Sequence, residues 1–113
     1  MACLFCRIVQ GEIPSNTVYQ DEQVLAFRDI NPQAPVHILV VPKEHLTDLR
    51  DLSEENQSLA GHILYVASQL AEREGLRARG YRVVANTGEA AGQTVPHLHF
   101  HLLGGRDFGW PPG

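Results

Sequence analysis

The sequence predicts a domain that mixes helices and strands, and three patterns in the chain support this prediction. Residues 97–103 alternate histidine with apolar side chains, residues 37–41 form a short apolar run, and residues 59–70 carry apolar side chains at helical spacing. A period of two is typical of a half-buried strand, and apolar positions three or four apart are typical of a helix packed on a core. At 113 residues, the chain suits a single domain, which we expect to span residues 1–113.

The composition narrows the classes of function. Hydrophobic residues make up 43% and charged residues 19% of the chain, and no apolar stretch approaches the roughly 18 residues that a membrane span needs. A formal net charge of -4 lacks the basic surface expected of a nucleic-acid-binding protein. Residues 1–7 contain no long apolar segment behind a basic region. We therefore expect a cytoplasmic location, with neither a membrane nor nucleic acid as a partner.

Two cysteines lie on a predicted N-terminal helix. Apolar residues from Cys3 to Val9 recur in an i, i+1, i+4, i+5 pattern, which predicts a short amphipathic helix before Gly11. Cys3 and Cys6 are the only cysteines. In a reducing compartment such a pair favours metal binding or redox chemistry over a structural disulfide, and a tetrahedral metal site would need two further ligands.

A hairpin, a loop and a buried strand are predicted next. Residues 17–19 and 24–28 are short β-prone runs that indicate a hairpin, and residues 29–35, with two prolines, indicate an ordered loop. The apolar run 37–41 is typical of a central strand covered on both faces. His37 at its start is a candidate for a functional site, although a single histidine there is more often structural.

A long helix and another strand follow. We expect the helix to run from about Glu54 to Glu74, with Ser53 as the N-cap and Gly75 available as the C-terminal cap. His62 falls within it and is assigned no chemistry. Residues 81–85 alternate as a strand.

The last predicted strand carries three histidines. Its two faces separate the side chains, with His97, His99 and His101 on one and Leu98, Phe100 and Leu102 directed into the core. Alternate residues are roughly 6.6 Å apart in a strand, so the outer histidines would lie about 13 Å apart. Three imidazoles could bind one zinc ion at about 2 Å only if the strand were bent. We therefore expect the three to have different roles.

Several motifs together match one known family. They are residues 92–94 (Gly-Gln-Thr), 97–103 (His-Leu-His-Phe-His-Leu-Leu), 104–106 (Gly-Gly-Arg) and 110–113 (Trp-Pro-Pro-Gly), with 25–30, 32–37 and 42–45. On these motifs the chain resembles the histidine triad (HIT) nucleotide-binding proteins, particularly their Hint branch, from Phe5 through Gly113. The resemblance implies an α+β, HIT-like fold. Its mainly antiparallel sheet has about five strands, with a short N-terminal helix and one long helix, and a two-fold dimer joins the sheets of two protomers.

The resemblance also implies a reaction. Hint-like enzymes hydrolyse purine nucleoside 5′-phosphoramidates, in which AMP or GMP is joined to an amine. Aminoacyl-AMP is a further candidate substrate. The reaction proceeds through a nucleotidyl-histidine intermediate. By position His99 would be the nucleophile, and His37 and His101 would contact phosphate oxygens. Thr94 stands where these proteins usually have serine, and its hydroxyl could bond to phosphate or help protonate the leaving amine.

The remaining nucleotide contacts are carried over from the same resemblance. Asp29 would accept bonds from ribose hydroxyls, and Asn86 and Gln93 would lie beside the phosphate. Trp110 would pack near the active site of the partner protomer. Six apolar residues would form the base slot: Leu4, Phe5, Ile8, Phe27, Ile30 and Leu39.

A zinc site is implied by a different part of the family. Hint proteins commonly lack the N-terminal cysteine pair, whereas other HIT proteins that have it bind zinc through two cysteines and two histidines. The ligands here would be Cys3, Cys6, His45 and His97, a closed set that is typical of structural zinc. The alternative is a metal-free protein with two incidental thiols.

Two other functions stay open from the sequence. One is hydrolysis of dinucleoside polyphosphates, against which the residues 104–106 and 110–113 favour the Hint branch. The other is a nucleotide-binding or zinc-stabilised interaction protein whose catalysis is incidental.

Overall fold

A five-stranded antiparallel sheet is the centre of the structure. The computed structural model describes residues 3–113. Its helices are α1 (Leu4–Val9) and α2 (Gln57–Arg73), and its strands are β1 (Thr17–Gln20), β2 (Val24–Arg28), β3 (Val36–Pro42), β4 (Tyr81–Val84) and β5 (Phe100–Gly104). Within these residues no helix is both long and apolar enough to cross a membrane. The α+β class and the predicted number of helices and strands are confirmed.

The strand order β1-β2-β3-β5-β4 places β3 in the middle of the sheet. This confirms the prediction from its apolar sequence, since six of its seven residues are buried. Its partner β5 runs antiparallel, with His37 opposite Leu103 and Leu39 opposite His101. Strand β4 pairs only with β5 and forms one edge of the sheet.

The two faces of the sheet bury different residues. Helix α2 covers one face, where Leu98, Phe100 and Leu102 are all buried as predicted. On the other face a smaller apolar cluster joins Leu39 to Phe5 of α1. Because side chains alternate along β5, His101 points to this second face, away from the main core.

The histidine segment is less regular than predicted. The expected strand over 97–103 begins only at Phe100. Before it, the N–H of His97 donates to the carbonyl of Val95, and the N–H of Leu98 donates to the carbonyl of Leu46. These bonds replace strand pairing and bend the chain, so His97 and His99 approach different neighbours.

Helix α2 begins later than predicted and ends as predicted. Residues 54–56 form a turn, and the N–H of Ser53 donates to the Asn56 side chain at 2.7 Å, so Ser53 is not the N-cap. The N-cap residue is Asn56. At the C-terminus Gly75 has a φ of +77°, which favours glycine.

Hydrogen bonds to the Asp21 carboxylate connect the β1–β2 turn to α2. Its carboxylate accepts hydrogen bonds from the Tyr19 hydroxyl at 2.7 Å and from Nε2 of His62 at 2.6 Å. It also accepts the N–H groups of Gln23 and Val24. Burial opposes ionisation, but these donors outweigh it and hold the pKa of Asp21 well below its usual range. His62 therefore has a structural contact, consistent with the absence of any chemistry assigned to it.

Replacing Asp21 with asparagine tests how much the hydrogen bonds to its carboxylate contribute to stability. We expect Asp21→Asn to lower the free energy of unfolding by about 1–3 kcal/mol at pH 7, because charge-assisted hydrogen bonds are lost. The carboxylate is stabilising above its unfolded pKa of about 3.9, and this contribution is lost as the pH falls further. Urea denaturation should therefore show a smaller difference from wild type at about pH 2 than at pH 7. Glu54→Gln, which removes the same charge from an exposed position, should show little difference at either pH.

Candidate active site and metal centre

His99 has one ring nitrogen occupied and the other free. Its Nδ1 lies 2.7 Å from the carbonyl oxygen of His97. Since a carbonyl oxygen can only accept, Nδ1 carries the proton and donates it. The free lone pair is then on Nε2, as a nucleophilic imidazole requires.

A chain of hydrogen bonds sets the protons on the two other histidines of this group. The backbone N–H of Gln33 donates to Nδ1 of His37 at 3.0 Å, so the neutral ring carries its proton on Nε2. That nitrogen donates to Nδ1 of His101 at 2.9 Å, which leaves the proton of His101 on Nε2. The ring centroids of His101 and His99 are 5.0 Å apart, so His101 can donate to an anion bound beside His99.

Asp29 joins this group as an acceptor. Its Oδ2 lies 3.4 Å from Nε2 of His37, and its Oδ1 accepts the N–H of Asn31 at 2.8 Å. Asp29, His37 and His101 are close enough together to surround a cation. However, Gln33 holds the proton of His37 on Nε2, so that nitrogen has no lone pair for a metal. The group is therefore better described as a hydrogen-bond network.

Burial keeps both members of the histidine pair uncharged. Desolvation lowers the pKa of His37, although Asp29 partly opposes this. Burial, together with charge repulsion from the neighbouring His99 and His37, lowers the pKa of His101 to about 4. At neutral pH the site thus presents the neutral N–H groups of His37 and His101 beside His99.

A pocket of about 300 Å³ adjoins His99 and His101. Helix α1 and the sheet face opposite α2 supply its apolar walls. Asp29 and Thr94 line the pocket. So do all six residues that the resemblance assigns to the base slot: Leu4, Phe5, Ile8, Phe27, Ile30 and Leu39. Ile30 is fully exposed, so a ligand that covered it would remove apolar surface from water.

A second cluster brings together the four predicted metal ligands. The Sγ atoms of Cys3 and Cys6 lie 3.1 to 3.6 Å from Nδ1 of His45 and of His97. The two Nδ1 atoms are 3.2 Å apart. The N-terminus of α1 thus brings each cysteine to histidines that are 39 to 94 positions away in the sequence.

These features agree with a comparison against known families. The HIT domain model matches residues 10–108. The chain belongs to the HIT family. The resemblance to the HIT family seen in its motifs is thus confirmed.

Three similar proteins extend this assignment. A 14 kDa zinc-binding protein of Zea mays is 54% identical over 112 residues, covering 97% of this chain and 87% of that protein. A HIT family hydrolase from Legionella pneumophila has a TM-score of 0.97 and 51% identity, covering 99% and 100% of the two chains. A histidine triad nucleotide-binding protein from Candida albicans has a TM-score of 0.84 and 34% identity, covering 97% and 83%. This HIT protein therefore shares the fold of family hydrolases and nucleotide-binding proteins.

The four-ligand cluster of this HIT protein fits a zinc ion. Tetrahedral zinc with bonds of about 2.3 Å to sulfur and about 2.0 Å to nitrogen would separate S from N by about 3.6 Å and N from N by about 3.3 Å. The separations above are close to these values. Nε2 of His97 also lies 2.8 Å from the carbonyl of Pro42, which places its proton there and leaves Nδ1 free to bind metal.

Gln93, a predicted phosphate contact, has a structural role in the loop before the histidine segment. The Gln93 amide accepts the N–H of Gly88 and donates to the carbonyls of Thr47 and Val95. Its side chain therefore closes the loop. Among the described residues, Thr94 lines the pocket whereas Asn86 and Gln93 do not, and the phosphate contacts of these two stay predictions.

Five further residues line the pocket and were not singled out from the sequence: Ile13, Pro14, Ser15, Arg28 and Val95. The Ile-Pro step soon after α1 is an apolar pair in a loop, and this could have indicated contact with the apolar face of α1. Arg28 forms a bidentate ion pair with Glu74, the C-cap residue of α2. No short-range pattern predicts that pairing, because 46 positions separate its two partners.

The C-terminal tail is anchored just before Trp110. The guanidinium groups of Arg106 and Arg82 lie 4.2 and 5.0 Å from the centre of the Phe108 ring. Arg82 also donates to the carbonyl of Gly109 at 2.8 Å. Trp110 itself is 85% exposed, so its predicted contact with a partner protomer stays a prediction.

The proton positions deduced above can be measured. At pH 7 we expect His99 in the Nδ1–H form and both His37 and His101 in the Nε2–H form. The carbonyl of His97 can only accept and the N–H of Gln33 can only donate, and the proton so placed on His37 fixes that of His101. Long-range ¹H–¹⁵N correlation spectra distinguish these tautomers. His101 should remain neutral from pH 8 to about pH 5, since its pKa is lowered to about 4. An Nε2–H signal for His99 would contradict the arrangement.

Proposed function

We propose that this HIT protein hydrolyses purine nucleoside 5′-phosphoramidates, and nucleotides joined to an aminoacyl group, through a nucleotidyl intermediate on His99. One arrangement carries the proposal: the imidazole of His99, which binds a backbone carbonyl through Nδ1 and keeps Nε2 for attack, lies beside an N–H donor of His101 at the edge of an apolar pocket. The nucleophile, the anion donor and the base slot that this reaction needs are thus adjacent.

The steps follow from these positions. Nε2 of His99 attacks the α-phosphorus, the P–N bond breaks, and the leaving amine takes up a proton with help from the Thr94 hydroxyl. The Nε2–H group of His101 donates to a phosphate oxygen and stabilises the charge that develops there. His37 holds the His101 ring in the required tautomer. Water then cleaves the bond between His99 and phosphorus and releases AMP or GMP.

The charge around the pocket favours a phosphoramidate over a dinucleoside polyphosphate. Among the described residues that line the pocket, Arg28 is the one lysine or arginine. Its guanidinium is already paired with Glu74 at 3.0 Å. A polyphosphate carries several negative charges that would need further cationic partners, whereas a phosphoramidate presents one phosphoryl group.

The reaction can be tested with adenosine 5′-phosphoramidate. We expect release of AMP, a transient mass increase of one AMP unit on His99, and a loss of kcat of about 10³-fold or more in His99→Gly, since the nucleophile is removed. His62→Gln changes a histidine outside the pocket and should retain activity. Wild-type activity in His99→Gly would overturn the mechanism. Faster cleavage of diadenosine polyphosphates would change the substrate class, and tight AMP binding without turnover would favour an interaction protein.

Zinc binding at the cluster is part of the same proposal. The two thiols, two imidazoles and their spacing support it, and the maize relative is named as a zinc-binding protein. Four protein ligands leave no position for substrate, so the metal would stabilise the fold and take no part in the chemical step. The reducing cytoplasm, where we place the protein, would keep both thiols available as ligands.

Elemental analysis tests the metal site. Protein purified without added metal should hold about one zinc per chain if the four ligands bind it as a structural ion. Cys6→Ser should lose most of it, and the Tm should fall by roughly 10 °C because metal-binding energy contributes to folding. His62→Gln, which alters a histidine outside the cluster, should keep its zinc. Wild-type protein without stoichiometric metal would contradict the proposal.

A homodimer completes the proposal. Strand β4 is an edge strand of the sheet within residues 3–113, and its Tyr81 is 40% exposed. On α2, Leu64 and Tyr65 are 48% and 61% exposed. Pairing of two β4 strands would cover this edge and join the two sheets. A single-chain mass in sedimentation at micromolar concentration would contradict it.

A further inference from the structure

Helix α1 lies between the metal cluster and the nucleotide pocket and contributes to both. Cys3 caps the helix and Cys6 lies within it, and both thiols face the two histidine ligands. Leu4, Phe5 and Ile8 of the same helix line the pocket. This six-residue helix and its N-cap residue therefore provide half of the metal ligands and three apolar side chains of the pocket wall.

Phe5 is in direct contact with both sites. Its ring meets that of His99 edge-on, with centroids 5.1 Å apart and an angle of 88°. Its centroid is 6.0 Å from that of His97, the buried metal ligand, and 5.5 Å from that of Phe27 in the pocket wall. Phe5 is itself 5% exposed, so it cannot move without disturbing the nucleophile and the ligand together.

His97 provides a second connection. Its Nδ1 faces the thiols, and its carbonyl oxygen accepts the Nδ1–H of His99 at 2.7 Å. The bond from Nε2 of His97 to Pro42 holds the ring against β3. Binding of a metal by His97 therefore acts on the residue that orients the nucleophile.

The helix has little stability of its own. A helix of six residues is far below the roughly 12 residues at which isolated helices become even marginally stable in water. Its position depends on the packing of Phe5, with partly buried Ile8 and Val9, and on the two thiols at its N-terminus. A metal at one end and a nucleotide along its apolar side would each fix the same helix in the same place.

We propose that α1 couples the two sites, so that metal binding and nucleotide binding strengthen each other, with Phe5 as the positioning residue between them. The inference rests on the proposed function, because it requires zinc in the cluster and a nucleotide in the pocket. Thermodynamic linkage makes the effect reciprocal: the factor by which nucleotide strengthens zinc binding equals the factor by which zinc strengthens nucleotide binding.

The test begins with the zinc-loaded, folded protein. Competition with a chromogenic chelator gives its apparent zinc affinity with and without saturating AMP. Calorimetry gives its AMP affinity before and after metal removal, and far-UV circular dichroism checks that α2 stays folded. We expect AMP to raise zinc affinity by about 10-fold, and metal removal to weaken AMP binding by the same factor.

Variants separate coupling from general loss of binding. Phe5→Ala should reduce the coupling factor toward one, and Phe5→Leu, which keeps apolar bulk, should restore part of it. Ile30→Ala is the matched control: Ile30 lines the pocket but is fully exposed and lies outside the apolar cluster that packs Phe5, so the variant should weaken AMP binding while the coupling factor stays near that of wild type.

The outcomes distinguish this inference from the proposed function. If zinc and AMP both bind and each leaves the affinity of the other unchanged, the coupling is wrong while the proposed sites stand. Equal coupling in wild type and Phe5→Ala would overturn the role of Phe5. If either zinc or AMP fails to bind, the inference falls together with the corresponding site.

Discussion

The hydrogen bond from Nδ1 of His99 to the carbonyl of His97 is the interaction on which the rest of the site depends. It exists because the chain bends before β5. There the N–H of His97 donates to the carbonyl of Val95 and the N–H of Leu98 donates to the carbonyl of Leu46, in place of bonds to a neighbouring strand. In a straight strand His97 and His99 would lie side by side on one face. The bend instead sends the ring of His97 to the thiols and leaves its carbonyl to orient His99.

One face of the sheet packs the main apolar core, and the other face carries the polar residues of the site. On the face under α2, Ile38, Val40 and Leu102 are completely buried in an apolar core. On the other face the alternate residues His37 and His101 meet beneath the pocket. Their burial has a use, because it lowers the pKa of each and keeps uncharged donors next to the place where a phosphate would bind. The same strands thus build a rigid support and a polar site.

Much of the architecture could be predicted from local patterns. The period-two alternation around Phe100 and Leu102, the apolar run of β3 and the helical spacing of α2 each identify an element correctly, because each reports which side is buried. The predictions that were wrong concern the residues at which α2 and β5 begin. Ser53 looks like an N-cap, yet Asn56 takes that position after a turn. The strand expected from His97 begins at Phe100, because contacts with Val95 and Leu46 outweigh the local pattern.

The sequence by itself determined the family and, through the resemblance to that family, the α+β class and the sets of residues that lie together, because the motifs that carry the resemblance are properties of the chain. Only the tertiary structure decided how those residues act on one another. The proton positions of His37 and His101 depend on the N–H of Gln33, brought near by a loop. The contact of Phe5 with both His97 and His99 joins positions more than ninety residues apart. The Phe5 contacts follow from packing between distant segments, which no local pattern encodes, and the bond from Gln33 depends on how its loop folds back toward His37.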